Sequence, residues 1–121
     1  MKKIGIVGST GSIGTQAIDV IKRHKDRFDL VFLTCHGNID LLTKQINELS
    51  PRFAVCTGGD GEIISGKTKV LNGMNNLISL IENEPLDLIL IAATGFAGVM
   101  PTYKAADRGI EIALANKESI V

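Results

Sequence analysis

Near the start of the chain, Gly8-Ser9-Thr10-Gly11-Ser12-Ile13-Gly14 joins a short apolar run to a helical pattern. Residues of these types at this spacing can hold a phosphate anion. Glycine lets the backbone turn tightly and come close to a ligand. The amides that open a helix lack intrahelical acceptors and, with the positive end of the helix dipole, attract negative charge. Thr10 and Ser12 add hydroxyl donors. The pattern G-x-x-G-x-x-G is a variant of G-x-G-x-x-G, which requires a strand before it and a helix after it. Ile4-Gly5-Ile6-Val7 reads as a buried strand, and residues 13–24 put Ile13, Ala17, Ile18 and Ile21 on one face at helical spacing. A strand that begins almost at the N-terminus and runs directly into such a turn opens a dinucleotide-binding domain, with the turn on the pyrophosphate. The bland alternative is a tight strand-to-helix turn without ligand, as in some flavodoxin-like modules.

Three further stretches carry potential chemistry. The end of the second strand decides which adenosine ribose is accepted, because an acid there pairs with the 2′-hydroxyl of NAD. Thr34-Cys35-His36-Gly37-Asn38 occupies that place and has no acid. A carboxylate would repel a 2′-phosphate, whereas His36, Asn38 and the amides opening the next helix can donate to one, which favours NADP. Otherwise His36 is an exposed loop residue and Asn38 only a helix cap. Ala93-Thr94-Gly95-Phe96-Ala97-Gly98 follows an apolar strand and belongs at the carboxyl edge of the sheet, where ligands bind in such folds; its glycines serve either cofactor contact or packing. In Leu114-Ala115-Asn116-Lys117-Glu118-Ser119, Asn116 can cap a helix whose first turn holds Lys117. A cation there opposes the dipole and calls for an anion, either a bound substrate group or Glu118 or Asp107.

A competing phosphate signature, Gly61-Glu62-Ile63-Ile64-Ser65-Gly66-Lys67-Thr68, matches G-x-x-x-x-G-K-[ST] in letters. A P-loop leaves a strand directly and its Lys-Thr opens a long helix. Here Asn72-Gly73 interrupts, Val70-Leu71 looks extended, and the run ending in Ala93-Thr94-Gly95 has no aspartate for magnesium. The segment reads as a solvated connection.

The elements that must position these residues alternate. After the first helix come a strand over 30–34, then a helix over 39–49 capped by Asn38 and stopped at Ser50-Pro51, and a strand over 53–56. Residues 57–73 read as irregular apart from a strand over 68–71. A helix over 74–84 precedes the most apolar run, 87–93, which is expected at the centre of the sheet. A helix over 101–108 has Pro101 near its first turn and Gly109 as its stop, and a last strand covers 110–115. This is an α/β pattern: a three-layer doubly wound parallel sheet, Rossmann-like and NAD(P)-binding.

At 121 residues and 45% hydrophobic content, the chain makes one domain with a real core. Thirteen basic and thirteen acidic residues cancel, removing the case for a nucleic-acid or anionic-membrane surface. Any phosphate recognition must therefore be local. Cys35 and Cys56 end strand-like runs without metal-ligand spacing and read as small core residues. The opening Met1-Lys2-Lys3 lacks the apolar run and cleavage site of a signal peptide, and no stretch reaches membrane-spanning length, so a soluble, cytoplasmic protein is expected.

The whole length resembles the N-terminal domain of the 1-deoxy-D-xylulose 5-phosphate reductoisomerase family. The resemblance rests on the glycine turn, on Ser50-Pro51-Arg52-Phe53-Ala54-Val55, on Gly98-Val99-Met100-Pro101-Thr102, and most of all on Leu114-Ala115-Asn116-Lys117-Glu118-Ser119-Ile120-Val121. It implies that Thr10, Gly11, Ser12 and Ile13 hold the NADPH pyrophosphate and that His36, Gly37 and Asn38 face the 2′-phosphate and adenosine. Asn116 and Glu118 would contact the nicotinamide half, and Lys117 the phosphosugar substrate. One departure bears on 2′-phosphate selection: the family often has glycine then a basic residue before Asn38, and here they are His36 and Gly37. The resemblance also implies carboxylates for Mn²⁺ or Mg²⁺, substrate-phosphate residues, a flap and a helical domain beyond Val121, and a homodimer for the full-length enzyme. The chain then reads as an inactive fragment of an enzyme that rearranges 1-deoxy-D-xylulose 5-phosphate and reduces the resulting aldehyde to 2-C-methyl-D-erythritol 4-phosphate. A semialdehyde-dehydrogenase-like cofactor domain and a stand-alone NADP-sensing or interaction module are the other readings.

Overall fold

The computed structural model describes residues 1–58, 67–93 and 96–114. Ten elements alternate along the chain: β1 (Lys2–Val7), α1 (Ser12–Arg23), β2 (Phe28–Cys35), α2 (Ile39–Leu49), β3 (Phe53–Cys56), β4 (Lys69–Asn72), α3 (Met74–Asn83), β5 (Leu88–Ile91), α4 (Phe96–Asp107) and β6 (Glu111–Leu114). The six strands form one sheet in the order β4-β3-β2-β1-β5-β6. All five pairings are parallel. After β1 the chain builds outward to β4, then returns to the other side of β1 with β5. That reversal opens a crevice between the carboxyl ends of β1 and β5.

Each face of the sheet is covered by helices, as the expected three layers require. On one face Ile18 and Ile21 of α1 and Leu42 and Ile46 of α2 pack against Ile4, Ile6, Leu30 and Leu33. On the other, Leu77 and Ile81 of α3 and Ala105 of α4 meet Val31, Phe32, Val55, Ile89 and Ile91. Strand β2 supplies both cores, and its last six residues are all buried. A register shift between Ile4 and Gly5, opposite Leu30 and Phe32, leaves Val31 as the extra residue of a bulge. Fully burying one such aliphatic or aromatic side chain is worth about 1.5–3 kcal/mol.

The helix ends follow local chemistry. Asn38 accepts a hydrogen bond from the Leu41 amide through Oδ1 at 3.2 Å, and so caps α2 as expected. Lys22 and Arg23 occupy the last turn of α1, where cations suit the helix dipole. Gly109, at φ +76°, follows α4 as its stop.

Two expectations are corrected. Strand β5 is interior but not central, because it lies between β1 and the edge strand β6, while β1 and β2 hold the middle. The last helix begins at Phe96, five residues before Pro101, so that Pro101 lies inside the helix. The proline withholds only the amide that would reach Ala97, near the helix start where the loss is small, and its ring is buried. Thr102 Oγ1 donates to the Gly98 carbonyl at 2.7 Å in the same turn. The remaining elements match to within a few residues at their ends. Ala115, assigned to the last strand, lies outside the described residues.

Candidate functional site

The loops that leave the carboxyl ends of β1, β2, β3 and β5 surround a cleft of about 680 Å³, a size typical of sites for small organic ligands. Its rim is the glycine turn. There the backbone is held at several points: the Gly8 amide donates to Thr34 Oγ1 at 2.9 Å, and the Ser9 amide donates to the Thr34 carbonyl at 2.8 Å. On the other flank the Ala92 amide donates to the Val7 carbonyl at 2.8 Å. The turn is therefore pinned between the ends of β2 and β5.

Two glycines permit that pinning. Gly8 has φ +85°, and a Cβ there would lie 2.8 Å from the Ala93 nitrogen. Gly14, on the first turn of α1, packs under the turn, where a Cβ would run into the Gly8 carbonyl and lie 2.8 Å from Ser9 Cα. Strand, turn and helix thus approach one another at backbone distance.

The first turn of α1 faces the cleft without a counter-charge. Gly11 is its N-cap and offers no side chain, and the turn holds no acid. Helix geometry leaves its leading amides without intrahelical acceptors, and Gly11, Ser12 and Ile13 are exposed beside them. Ile13, which shares one helical face by spacing with Ile18 and Ile21 and is assigned to the pyrophosphate by resemblance, is 37% exposed and lines the cleft, while Ile18 and Ile21 are buried. Among the described residues lining the cleft, none is Asp, Glu, Lys or Arg. The described surface offers amides, hydroxyls and apolar walls to a ligand.

Of the residues singled out from sequence, Thr10, Gly11, Ser12, Ile13 and His36 come together on this cleft. Gly37 and Asn38 follow His36 as exposed residues just outside the lining, and Asn38 Oδ1 is engaged as the cap of α2. Asn116, Lys117 and Glu118 lie outside the described residues, as do Thr94 and Gly95. Ala97, at the start of α4, reaches the cleft, whereas a Cβ added at Gly98 would lie 3.1 Å from the Ala93 carbonyl oxygen and from Ile91 Cγ2.

His36 is held in place by the end of β3. Its Nδ1 lies 3.4 Å from Thr57 Oγ1, and its carbonyl accepts from the Gly58 amide at 2.8 Å and from Cys56 Sγ at 3.4 Å. Cys35 pairs with Cys56 in the β2–β3 register, and both thiols are free and buried. Burial first, and then the neighbouring Cys56, push the Cys35 thiol up to about 12. It lines the cleft as a neutral wall.

Thr57, Met74 and Leu77 line the cleft without having been singled out from sequence, as do the strand-end residues Val7 and Ala92. Thr57 stands at the carboxyl end of β3, so the rule that ligands bind beyond strand ends could have found it. Met74 and Leu77 reach the cleft from α3 and carry no sequence signal beyond that of core residues.

The P-loop-like letters are not followed by the helix that a P-loop opens. Lys67 and Thr68 lead into β4, not a helix, and Thr68 is buried with its hydroxyl donating to the Pro51 carbonyl at 2.6 Å. Residues 61–66 lie outside the described residues. Among the described residues, no group of three or more His, Cys, Asp or Glu side chains could hold a metal ion, and no helix is long and apolar enough to cross a membrane.

The family model for 1-deoxy-D-xylulose 5-phosphate reductoisomerase matches residues 4–121. The enzyme of that name from Thermoanaerobacter pseudethanolicus is 42% identical over 126 residues, which cover 100% of this chain and 33% of the relative. Its counterpart from Geotalea uraniireducens is 41% identical over 127 residues, with the same coverage of 100% and 33%. The chain thus spans about a third of the length of the curated relatives it matches. The structure of the Zymomonas mobilis reductoisomerase in complex with NADPH superposes with a TM-score of 0.87 at 28% identity, over 98% of this chain and 33% of that one. A reductoisomerase in complex with NADPH, fosmidomycin and magnesium gives 0.86 at 29% identity, over 99% of this chain and 31% of that one.

Proposed function

The chain belongs to the 1-deoxy-D-xylulose 5-phosphate reductoisomerase family, and we propose that it is the NADPH-binding domain of an enzyme converting 1-deoxy-D-xylulose 5-phosphate to 2-C-methyl-D-erythritol 4-phosphate in isoprenoid biosynthesis. The observation that carries the reading is the uncapped, acid-free first turn of α1 opening onto the cleft beside the pinned glycine turn. That is what a dinucleotide pyrophosphate needs.

The residues fit the cofactor part by part. Amides and hydroxyls at Thr10, Gly11, Ser12 and Ile13 hold the pyrophosphate, with the dipole of α1 behind them. His36, with Gly37 and Asn38 beside it, takes the adenosine ribose and its 2′-phosphate; no carboxylate among the described lining residues repels that group. Met74, Leu77 and Ala97 supply apolar walls against which the cofactor packs. Asn116 and Glu118 belong to the nicotinamide half and Lys117 to the phosphosugar. When bound, NADPH supplies hydride to the substrate carbon, and this chain's part is to hold and orient it.

The domain spans 1–121, and Mn²⁺ or Mg²⁺, the metal carboxylates and the substrate-phosphate contacts belong to the remaining two thirds of the enzyme. The full enzyme is proposed to be a cytoplasmic homodimer acting without nucleic acid or membrane. Calorimetric titration with NADPH and NADH tests the reading. The expected result is NADPH binding with the tighter affinity, and no turnover of 1-deoxy-D-xylulose 5-phosphate by the 121-residue protein alone. Equal weak heats for the two cofactors would remove the 2′-phosphate argument, and no heat with either would overturn the assignment.

A further inference from the structure

The inner face of α2 carries one residue that core packing does not explain. Gln45 is 3% exposed, between Leu42 and Ile46 of the apolar stripe. An amide costs free energy to bury unless both of its ends are bonded, and a leucine or methionine would fill the same space without that cost. Both ends are bonded, and to a single residue. Gln45 Oε1 accepts from Ser9 Oγ at 2.7 Å, and Gln45 Nε2 donates to the Ser9 carbonyl at 2.8 Å.

Ser9 is itself wholly buried and belongs to the glycine turn. Its amide is fixed by the Thr34 carbonyl at 2.8 Å, and its hydroxyl lies 3.2 Å from the same oxygen. By holding the Ser9 carbonyl, Gln45 fixes the rotation of the Ser9–Thr10 peptide. In a trans peptide the carbonyl and the following N–H point in opposite directions. Turning the Ser9 carbonyl inward onto Gln45 turns the Thr10 N–H away from the interior, on the side where Thr10 lines the cleft. Without the Gln45 donor the Ser9 carbonyl would be a buried acceptor lacking its partner, and the peptide would be driven to rotate toward another donor.

We propose that Gln45 is a positioning residue for the cofactor: its two-point grip on Ser9 aims the Thr10 amide at the pyrophosphate. The inference rests on the NADPH-binding reading above. It is tested on the wild-type chain, Gln45→Met and Ser9→Ala, each held below its melting transition as followed by circular dichroism. NADPH affinity is measured by calorimetry, and adenosine 2′-monophosphate, which has no pyrophosphate, is measured as a competitor.

Gln45→Met should weaken NADPH about tenfold while leaving adenosine 2′-monophosphate within about twofold of wild type. Ser9→Ala removes the hydroxyl but keeps the carbonyl grip, so it should weaken NADPH by a smaller factor, about threefold. A merely structural role would lower the melting temperature and leave NADPH affinity of the folded protein unchanged; that result overturns the proposal, as does equal weakening of both ligands. If Gln45→Met does not fold, Ser9→Ala decides by the same two comparisons. A wild-type chain that binds no NADPH defeats the cofactor reading itself, whereas a binding wild type with an unaffected variant defeats only the clamp.

Discussion

Gly14 lies beneath Gly8 so closely that a Cβ at position 14 would overlap the Gly8 carbonyl oxygen. This contact joins the first turn of α1 to the end of β1 and sets the distance between the helix amides and the turn. Gly14→Ala should therefore do more than lower stability. Overpacking of this kind typically costs about 1–3 kcal/mol, readable as a reduced urea midpoint. Because relief requires α1 to move off the turn, NADPH binding should fall by more than the stability change accounts for. Full NADPH affinity in folded Gly14→Ala protein would contradict this account of the corner.

Thr34 makes a second, separable contribution. Its hydroxyl accepts from the Gly8 amide at 2.9 Å, while its carbonyl takes the Ser9 amide. Valine keeps the shape and removes the acceptor. Thr34→Val should lose about 1–2 kcal/mol, the cost of a partly buried amide left without its partner. Denaturant titration at an unchanged m-value checks it, and a stability equal to that of wild type would show that the Gly8 amide finds another acceptor.

His36 lines the cleft directly after the end of β2, where ribose recognition is set. His36→Asp places a carboxylate where the proposed 2′-phosphate lies. The preference for NADPH over NADH should fall at least about tenfold, equivalent to about 1.4 kcal/mol, with most of the change in NADPH affinity. Parallel titrations of the two cofactors give the ratio. An unchanged ratio would move the 2′-phosphate away from His36.

What was legible in the sequence was whatever local chemistry decides. The β1 strand, the glycine turn, α1 and the Asn38 cap all depend on spacing within a few residues, and each is present. The misreadings share a cause. Pro101 fits the first turn of a helix so well that it hid the earlier start at Phe96, where Gly98 suggested a loop instead of close packing on Ala93. The apolar run around β5 suggested the sheet centre, but apolarity reports burial on both faces and not position in the strand order. Ile13 fits the helical stripe by period, yet the helix begins at the cleft, so its first apolar residue faces the ligand side. Gln45 was invisible for the opposite reason: an amide in a helix reads as a surface residue until its two partners on a turn 36 positions away are seen.

Cys35 supplies a dependence on pH with a definite sign. Its thiol is pushed from 9.0 to about 12, chiefly by burial and then by Cys56 beside it. The unfolded chain thus releases this proton near pH 9 while the folded chain keeps it, so between 9 and 12 the folded state holds more protons. Stability from this group is fully present below pH 9 and is lost as pH rises toward 12. Urea unfolding of wild type and Cys35→Ala at a series of alkaline pH values isolates the effect, because other titrating groups are common to both. The stability difference between the two should shrink as pH rises, and a constant difference would contradict the raised thiol. The same displacement predicts inertness at neutral pH, since the thiolate is the nucleophile. A displacement of this size lowers the thiolate fraction on the order of a thousandfold, so iodoacetamide should label native Cys35 far more slowly than the urea-unfolded chain. Labelling at equal rates would mean that the wall of the cleft at Cys35 opens to solvent.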